Sequence, residues 1–249
     1  LDIIFDWKKI EIMNIFIKNK KFVYLGIFGI AMGALEAIVV VYLRELYYPK
    51  GFSFPLTLIS SKFLFIEWIR EVSTILMLIM IGVISGKNFR EKFSYFLFTF
   101  AIWDIFYYVW LKILLNWPSS LFTWDILFLI PVPWIGPVLS PIICSLTMIL
   151  ISMTIINLEE NGYKVKIKLY EWLLVFSGAF IILYTFIYDY SKIIFNEILK
   201  FGLKNLINNI EFWNKIQQFI PTKFNWLFFI IGEIIILINF IGFIKRIKR

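Results

Sequence analysis

Six stretches of about twenty apolar residues, separated by short polar or charged joints, make up most of this chain: Phe22–Leu43, Phe63–Ile84, Phe93–Leu115, Pro137–Ile156, Tyr170–Tyr188 and Phe224–Ile244. Each matches the roughly 20 residues a helix needs to cross about 30 Å of hydrocarbon. The pattern predicts an all-α polytopic integral membrane protein, a single transmembrane helical domain over 1–249 with about six spans. Residues 1–12, ahead of Met13, read as an upstream extension or as native chain.

Two stretches depart from this rhythm. Between Trp124 and Ile156 the apolar sequence is interrupted by Pro131, Pro133, Gly136, Pro137 and Pro141. Proline removes a backbone donor and clashes with the preceding turn, so a continuous helix is not expected. The spacing predicts a short re-entrant or interfacial piece over Asp125–Trp134 and then one span; a Pro-kinked packing helix is the alternative. Irregular backbone at membrane depth must be satisfied by protein or water, so this piece is expected to line a cavity. The second departure is 189–223, where Leu203, Leu206, Ile207, Ile210 and Trp213 recur at helical spacing opposite Lys204, Asn205, Asn208, Asn209 and Lys215. That segment predicts an external helix lying in the interface, as a connector or a lid, with Gly202 separating it from the apolar run Ile193–Leu199.

Composition agrees with the pattern. The chain is 61% hydrophobic and 17% charged, whereas soluble domains carry about a quarter charged residues. Its net charge of +8 comes from lysines and arginines between spans rather than on one face, which argues for orientation in a bilayer and against nucleic acid as a partner. Fifteen of them fall in the N-terminal region, the 86–92 and 157–169 loops and the tail, against nine on the opposite side. The positive-inside rule then places both termini in the cytoplasm of a cell-membrane protein. The absence of histidine excludes His-ligated haem or metal and Ser-His or Cys-His catalytic pairs. The cofactor is otherwise open; a hard cation such as Mg²⁺ or Na⁺ on carboxylates is the remaining metal chemistry, and no metal ligand is assigned.

Charges inside the spans carry the functional signal. Glu36, Glu67, Arg70, Glu71, Asp104 and Glu233 all fall within apolar runs. At 1.5 Å per residue, the predicted topology puts every acid in the outer half of the bilayer. Intramembrane charge is costly and faces a cavity or a partner. Gly29-x-x-x-Gly33 permits close helix approach and shares a face with Glu36; Glu67 reaches both Arg70 and Glu71 at helical spacing. Asp104 shares a broad face with Tyr107, Tyr108 and Lys112. With Asp125 from the proline-rich piece, the candidate cavity or binding residues are Glu36, Glu67, Arg70, Glu71, Asp104, Tyr108, Lys112, Asp125 and Glu233; no catalytic residue is assigned. Glu36, Glu71 and Asp104 are expected to converge. Ion pairing for packing alone is the competing reading of the same residues.

Three functions fit. The first is a transporter of a cation or cationic small solute with an outward-facing acidic vestibule. The second is a membrane-embedded enzyme acting on a lipid or isoprenoid from the outer leaflet, with carboxylates as acid and base. The third is a non-catalytic membrane subunit or assembly factor. The bilayer is the expected partner in each, with a small solute, a lipid or a partner subunit as the second. No family motif is complete.

Overall fold

The computed structural model describes residues 20–57, 59–202 and 210–249. Its elements are α1 (Lys20–Tyr47), α2 (Ser61–Ser85), α3 (Phe89–Leu115), β1 (Trp124–Phe128), β2 (Trp134–Pro137), α4 (Leu139–Glu160), α5 (Leu169–Phe201), α6 (Ile210–Gln218) and α7 (Trp226–Ile247). The protein is an all-α multi-pass membrane protein. Among the described residues, α1, α3, α4, α5 and α7 are long and apolar enough to cross a membrane. The remaining long helix, α2, carries Lys62, Glu67, Arg70 and Glu71 in its first half and is uncharged beyond Glu71.

Local sequence explains the helix ends. The Asn88 side chain accepts from the Glu91 N–H at 3.0 Å and the Glu91 carboxylate accepts from the Lys87 N–H at 2.9 Å, which starts α3. Asn116 ends α3 in the left-handed region, with φ 52°, a conformation asparagine tolerates better than most residues. In α4, Pro141 occupies the first turn, where no intrahelical donor is lost. The chain from Leu169 runs unbroken to Phe201, so the expected fifth span and the apolar run Ile193–Leu199 form one 33-residue helix. Nothing between Asp189 and Phe201 breaks a helix, and Gly202, at φ 76°, ends it. The expected amphipathic face falls partly on 203–209, outside the described residues, as do residues 1–12. The described part, α6, is tied to the end of α5 by Lys215 with Glu197 at 2.6 Å and by Lys200 with Glu211 at 2.8 Å.

Packing divides the helices into two groups. At the centre of the first is α3, which contacts α1, α2 and α4. Gly29 and Gly33 allow the α1 approach: a Cβ added at Gly33 would lie 2.9 Å from the Trp103 carbonyl oxygen. In the second group α5 and α7 cross at Gly178 and Gly232, where an added Cβ would lie 2.7 or 2.8 Å from the other glycine's carbonyl oxygen. Helix α4 lies between the groups and touches α7. Basic residues collect at one end, where Lys21 reaches the Ser85 carbonyl, Arg90 pairs with Glu159, and Arg246 grips Glu171 at 2.8–2.9 Å. Residues 48–57, the loop 116–123 and the β-hairpin occupy the other end.

The proline-rich piece is that hairpin. β1 and β2 pair antiparallel, with Asp125 opposite Gly136 and Ile126 opposite Ile135, and an irregularity before Phe128 opposite Trp134. It is not a helix, as the prolines require, and it leads directly into α4. Gly136 is needed where it packs: a Cβ there would be 3.0 Å from Ser140 Oγ and 3.1 Å from the Phe186 ring. The aromatic series Trp103, Phe128, Trp134 and Phe186, with neighbouring centroids 5.3–6.4 Å apart, carries the hairpin from α3 across to α5.

Candidate functional site

A chamber of about 120 Å³ lies between α1, α2, α3 and the hairpin. About two turns of α2 supply Glu67, Arg70, Glu71 and Thr74, and α1 supplies Glu36 and Arg44. Helix α3 adds Trp103, Asp104, Tyr107 and Tyr108, and β1 adds Asp125. Arg70 stands between two acids: it pairs with Glu36 and holds Glu67 at 2.7 and 2.8 Å. Thr74 donates to Glu36 at 3.2 Å. Both oxygens of Glu71 accept the Leu129 backbone N–H, at 2.9 and 3.1 Å. Ser145, from α4, donates to Asp104 at 2.8 Å.

Arg44 completes the chamber at its mouth. Its guanidinium lies 3.7 Å from the Trp117 ring centroid and 4.5 Å from that of Phe52, and it pairs with Asp125 at 3.0 Å. Burial pushes the Asp125 carboxyl up to about 6, against the opposing pull of Arg44, the Ile126 N–H and the Tyr108 hydroxyl. Four buried polar atoms of the chamber residues have no hydrogen bond of acceptable geometry: Arg44 Nη1, Arg70 Nη1, Trp103 Nε1 and Asp125 Oδ2; of these Arg70 Nη1 is ion-paired with Glu36, and Asp125 Oδ2 has the Tyr108 hydroxyl as neighbour.

Seven of the nine sequence candidates therefore line one chamber: Glu36, Glu67, Arg70, Glu71, Asp104, Tyr108 and Asp125. Lys112 does not. It is exposed and donates to the Asn116 and Pro118 carbonyls at 3.3 and 3.1 Å, extending past the end of α3 instead of turning back to Asp104. Glu233 is buried elsewhere and accepts from Thr147 at 2.8 Å. Equal depth did not make it a neighbour of the others, because α7 packs on α5 rather than on α1 to α3. Arg44, which sequence offers only as an ion-pair partner for the acids, joins the chamber, and Thr74 and Ser145 bond its carboxylates without being among the sequence candidates. Thr74 has a signal in the sequence, since Glu67, Glu71 and Thr74 recur at spacings of four and three; Ser145 has none. Glu36 and Glu67 share Arg70 while Glu71, Asp104 and Asp125 go to separate partners, and among the described residues no three acidic or thiol groups converge as a metal set.

A second, larger cavity of about 490 Å³ runs alongside α4 between the two helix groups. Its walls are mainly apolar and aromatic, with Phe100, Trp134, Trp172, Phe176, Phe186 and Phe240 among them, and Asp104, Cys144, Ser145, Thr147, Glu171, Glu233 and Asn239 are its polar members. Asp104, Leu127 and Phe128 line both cavities. Toward the basic end the chamber is closed by Met32, Leu78 and Trp103 with Phe28, Phe96 and Phe100, and beyond them by Phe22, Leu25, Tyr95, Phe98, Met153 and Ile156.

Comparison with known proteins leaves the site to speak for itself: no family model matches the chain, and neither a curated protein nor a solved structure is significantly similar to it.

Proposed function

We propose that this multi-pass membrane protein binds an amphiphilic lipid or isoprenoid, its polar head in the chamber and its chain in the apolar groove, and acts on it with carboxylate acid–base chemistry. The observation that carries this reading is the shared wall of Asp104, Leu127 and Phe128. It sets a charged compartment directly against a long apolar one, which is the shape of an amphiphile. Asp104 belongs to that wall and is held by a neutral hydroxyl, not by a cation. It is therefore the group best placed to give or take a proton at the junction of head and chain. Two wall residues come from the hairpin, whose side chains can yield without disturbing a helix.

The aromatic and aliphatic layers beneath the chamber favour this reading over transport of a cation. A path toward the basic end would have to pass Leu78 and Phe98, both fully buried, where α3 offers no charged group between Ser94 and Thr99 and only the hydroxyls of Ser94, Tyr95 and Thr99. The positive-inside count supports cytoplasmic termini in a cell membrane, and hence access from the outer leaflet.

The test uses the full chain in phosphatidylcholine nanodiscs carrying a fatty-acyl lipid with a diazirine near the chain end. Cross-links should concentrate on groove residues such as Met148 and Ala179, and Ala179→Trp, which fills the groove, should cut them about tenfold. Labelling of the groove no greater than that of Leu35, which is 67% exposed on the outside of α1, would defeat the reading.

A further inference from the structure

We infer that the head group received by the chamber is uncharged and polyhydroxylated, a sugar or polyol rather than a phosphate or an amine. The inference rests on the reading of chamber and groove as one amphiphile site. It follows from the three unbonded chamber atoms that no ion pair engages, Asp125 Oδ2 having only the Tyr108 hydroxyl beside it. Arg44 Nη1 and Trp103 Nε1 are donors, and Asp125 Oδ2 is an acceptor when ionised; Arg44, Trp103 and Asp125 are 7%, 5% and 2% exposed and all line the chamber. Buried polar groups are ordinarily satisfied, so a set of three around one cavity indicates what the cavity is built to hold.

Each ligand class can be tried against the set. A phosphate would accept from Arg44 and Trp103 but has nothing for Asp125 Oδ2. It would also meet an acidic surround: Glu36, Glu67, Glu71, Asp104 and Asp125 line the chamber against two arginines, each already paired. An ammonium group would suit the acids but cannot accept from Arg44 or Trp103. A hydroxyl both donates and accepts, so adjacent hydroxyls satisfy all three atoms without adding charge. The rings of Phe52, Tyr47, Tyr48 and Tyr107 supply the apolar faces against which the C–H side of a sugar ring packs.

The experiment uses the same nanodiscs with a diazirine-bearing glucosyl diacylglycerol as probe. The competitors are unlabelled glucosyl diacylglycerol, phosphatidic acid and an alkylamine lipid of equal chain length, and methyl glucoside. The glucosyl lipid is expected to compete about tenfold better than any of the others. Trp103→Phe, which removes the indole N–H donor and keeps a smaller aromatic ring, should lower glucosyl-lipid labelling by a similar factor, with labelling by the plain fatty-acyl probe unchanged as the control for folding. Preference for phosphatidic acid or for the amine overturns the inference and leaves the amphiphile site standing. Equal competition by methyl glucoside keeps the head chemistry and defeats the amphiphile reading. Failure of every lipid to label the groove defeats both.

Discussion

The backbone N–H of Leu129 points at both carboxylate oxygens of Glu71, at 2.9 and 3.1 Å, across 58 residues of sequence. One side chain on α2 thus satisfies the donor that the hairpin exposes just beyond β1. A strand end among membrane helices has no water on which to rely. Glu71 therefore has a structural role whatever chemistry the chamber performs, and substitutions there must separate the two.

Glu71→Ala leaves the half-buried Leu129 donor without its partner, which costs about 1–3 kcal/mol. Glu71→Gln keeps an acceptor oxygen and is expected to retain most of the stability. Thermal unfolding of the two variants in nanodiscs should rank wild type, Gln and Ala in that order. Equal midpoints for Gln and Ala would show that the hairpin is not held through this contact.

Arg44 and Asp125 form a buried pair, so removing one partner strands the other. Arg44→Met is expected to destabilise by about 3–5 kcal/mol, and the double variant Arg44→Met/Asp125→Leu by clearly less. A double-mutant cycle on unfolding free energies checks this, and additive effects would exclude coupling.

The same carboxyl predicts a pH dependence. Its folded value, about 6, lies above the ordinary carboxylate value of about 4, so the folded protein holds this proton more tightly than the unfolded chain does. The contribution is complete below about pH 4, is lost as pH rises toward about 6, and is flat above that. Asp125→Asn should remove this slope from the stability profile measured between those limits. An unchanged slope would assign it to another group.

Close packing of α1 on α3 makes Gly33 intolerant. A Cβ there meets the Trp103 carbonyl oxygen and the Tyr107 nitrogen at 2.9 and 3.0 Å, both backbone atoms that cannot rotate away. Gly33→Ala should cost about 1–3 kcal/mol by overpacking. Gly26 has nothing within 4 Å of its added Cβ, so Gly26→Ala should be neutral or stabilising by up to about 1 kcal/mol through helix propensity. Comparable loss in both variants would refute the close approach.

Orientation can be read by labelling on a Cys144→Ser background. A cysteine at Ser53 should react with an impermeant maleimide on intact cells, and one at Asn161 only after permeabilisation. The reverse pattern would invert the membrane assignment and move the chamber to the inner leaflet.

The sequence by itself determined that this is a membrane protein of long apolar helices, where those helices lie, and that the proline-rich piece is not one of them. Those properties are local: length against bilayer thickness, helix rise, and the lost donor of proline. Local spacing also placed Glu67, Arg70 and Glu71 on one face of α2, and the glycine pair predicted the approach that α1 makes to α3. Tertiary structure alone decided which acids share a space. Depth along a helix follows from rise per residue, but a side chain's neighbours depend on the order and rotation of helices, which apolar runs of nearly uniform composition do not encode. Hence Glu233 went to the groove with Thr147, Arg44 turned inward to Asp125, Lys112 extended away from Asp104, and the Leu129 donor found Glu71. The two cavities meet at Asp104 because α3 packs α1 and α2 on one side and α4 on the other, an arrangement set by contacts between segments far apart in the chain.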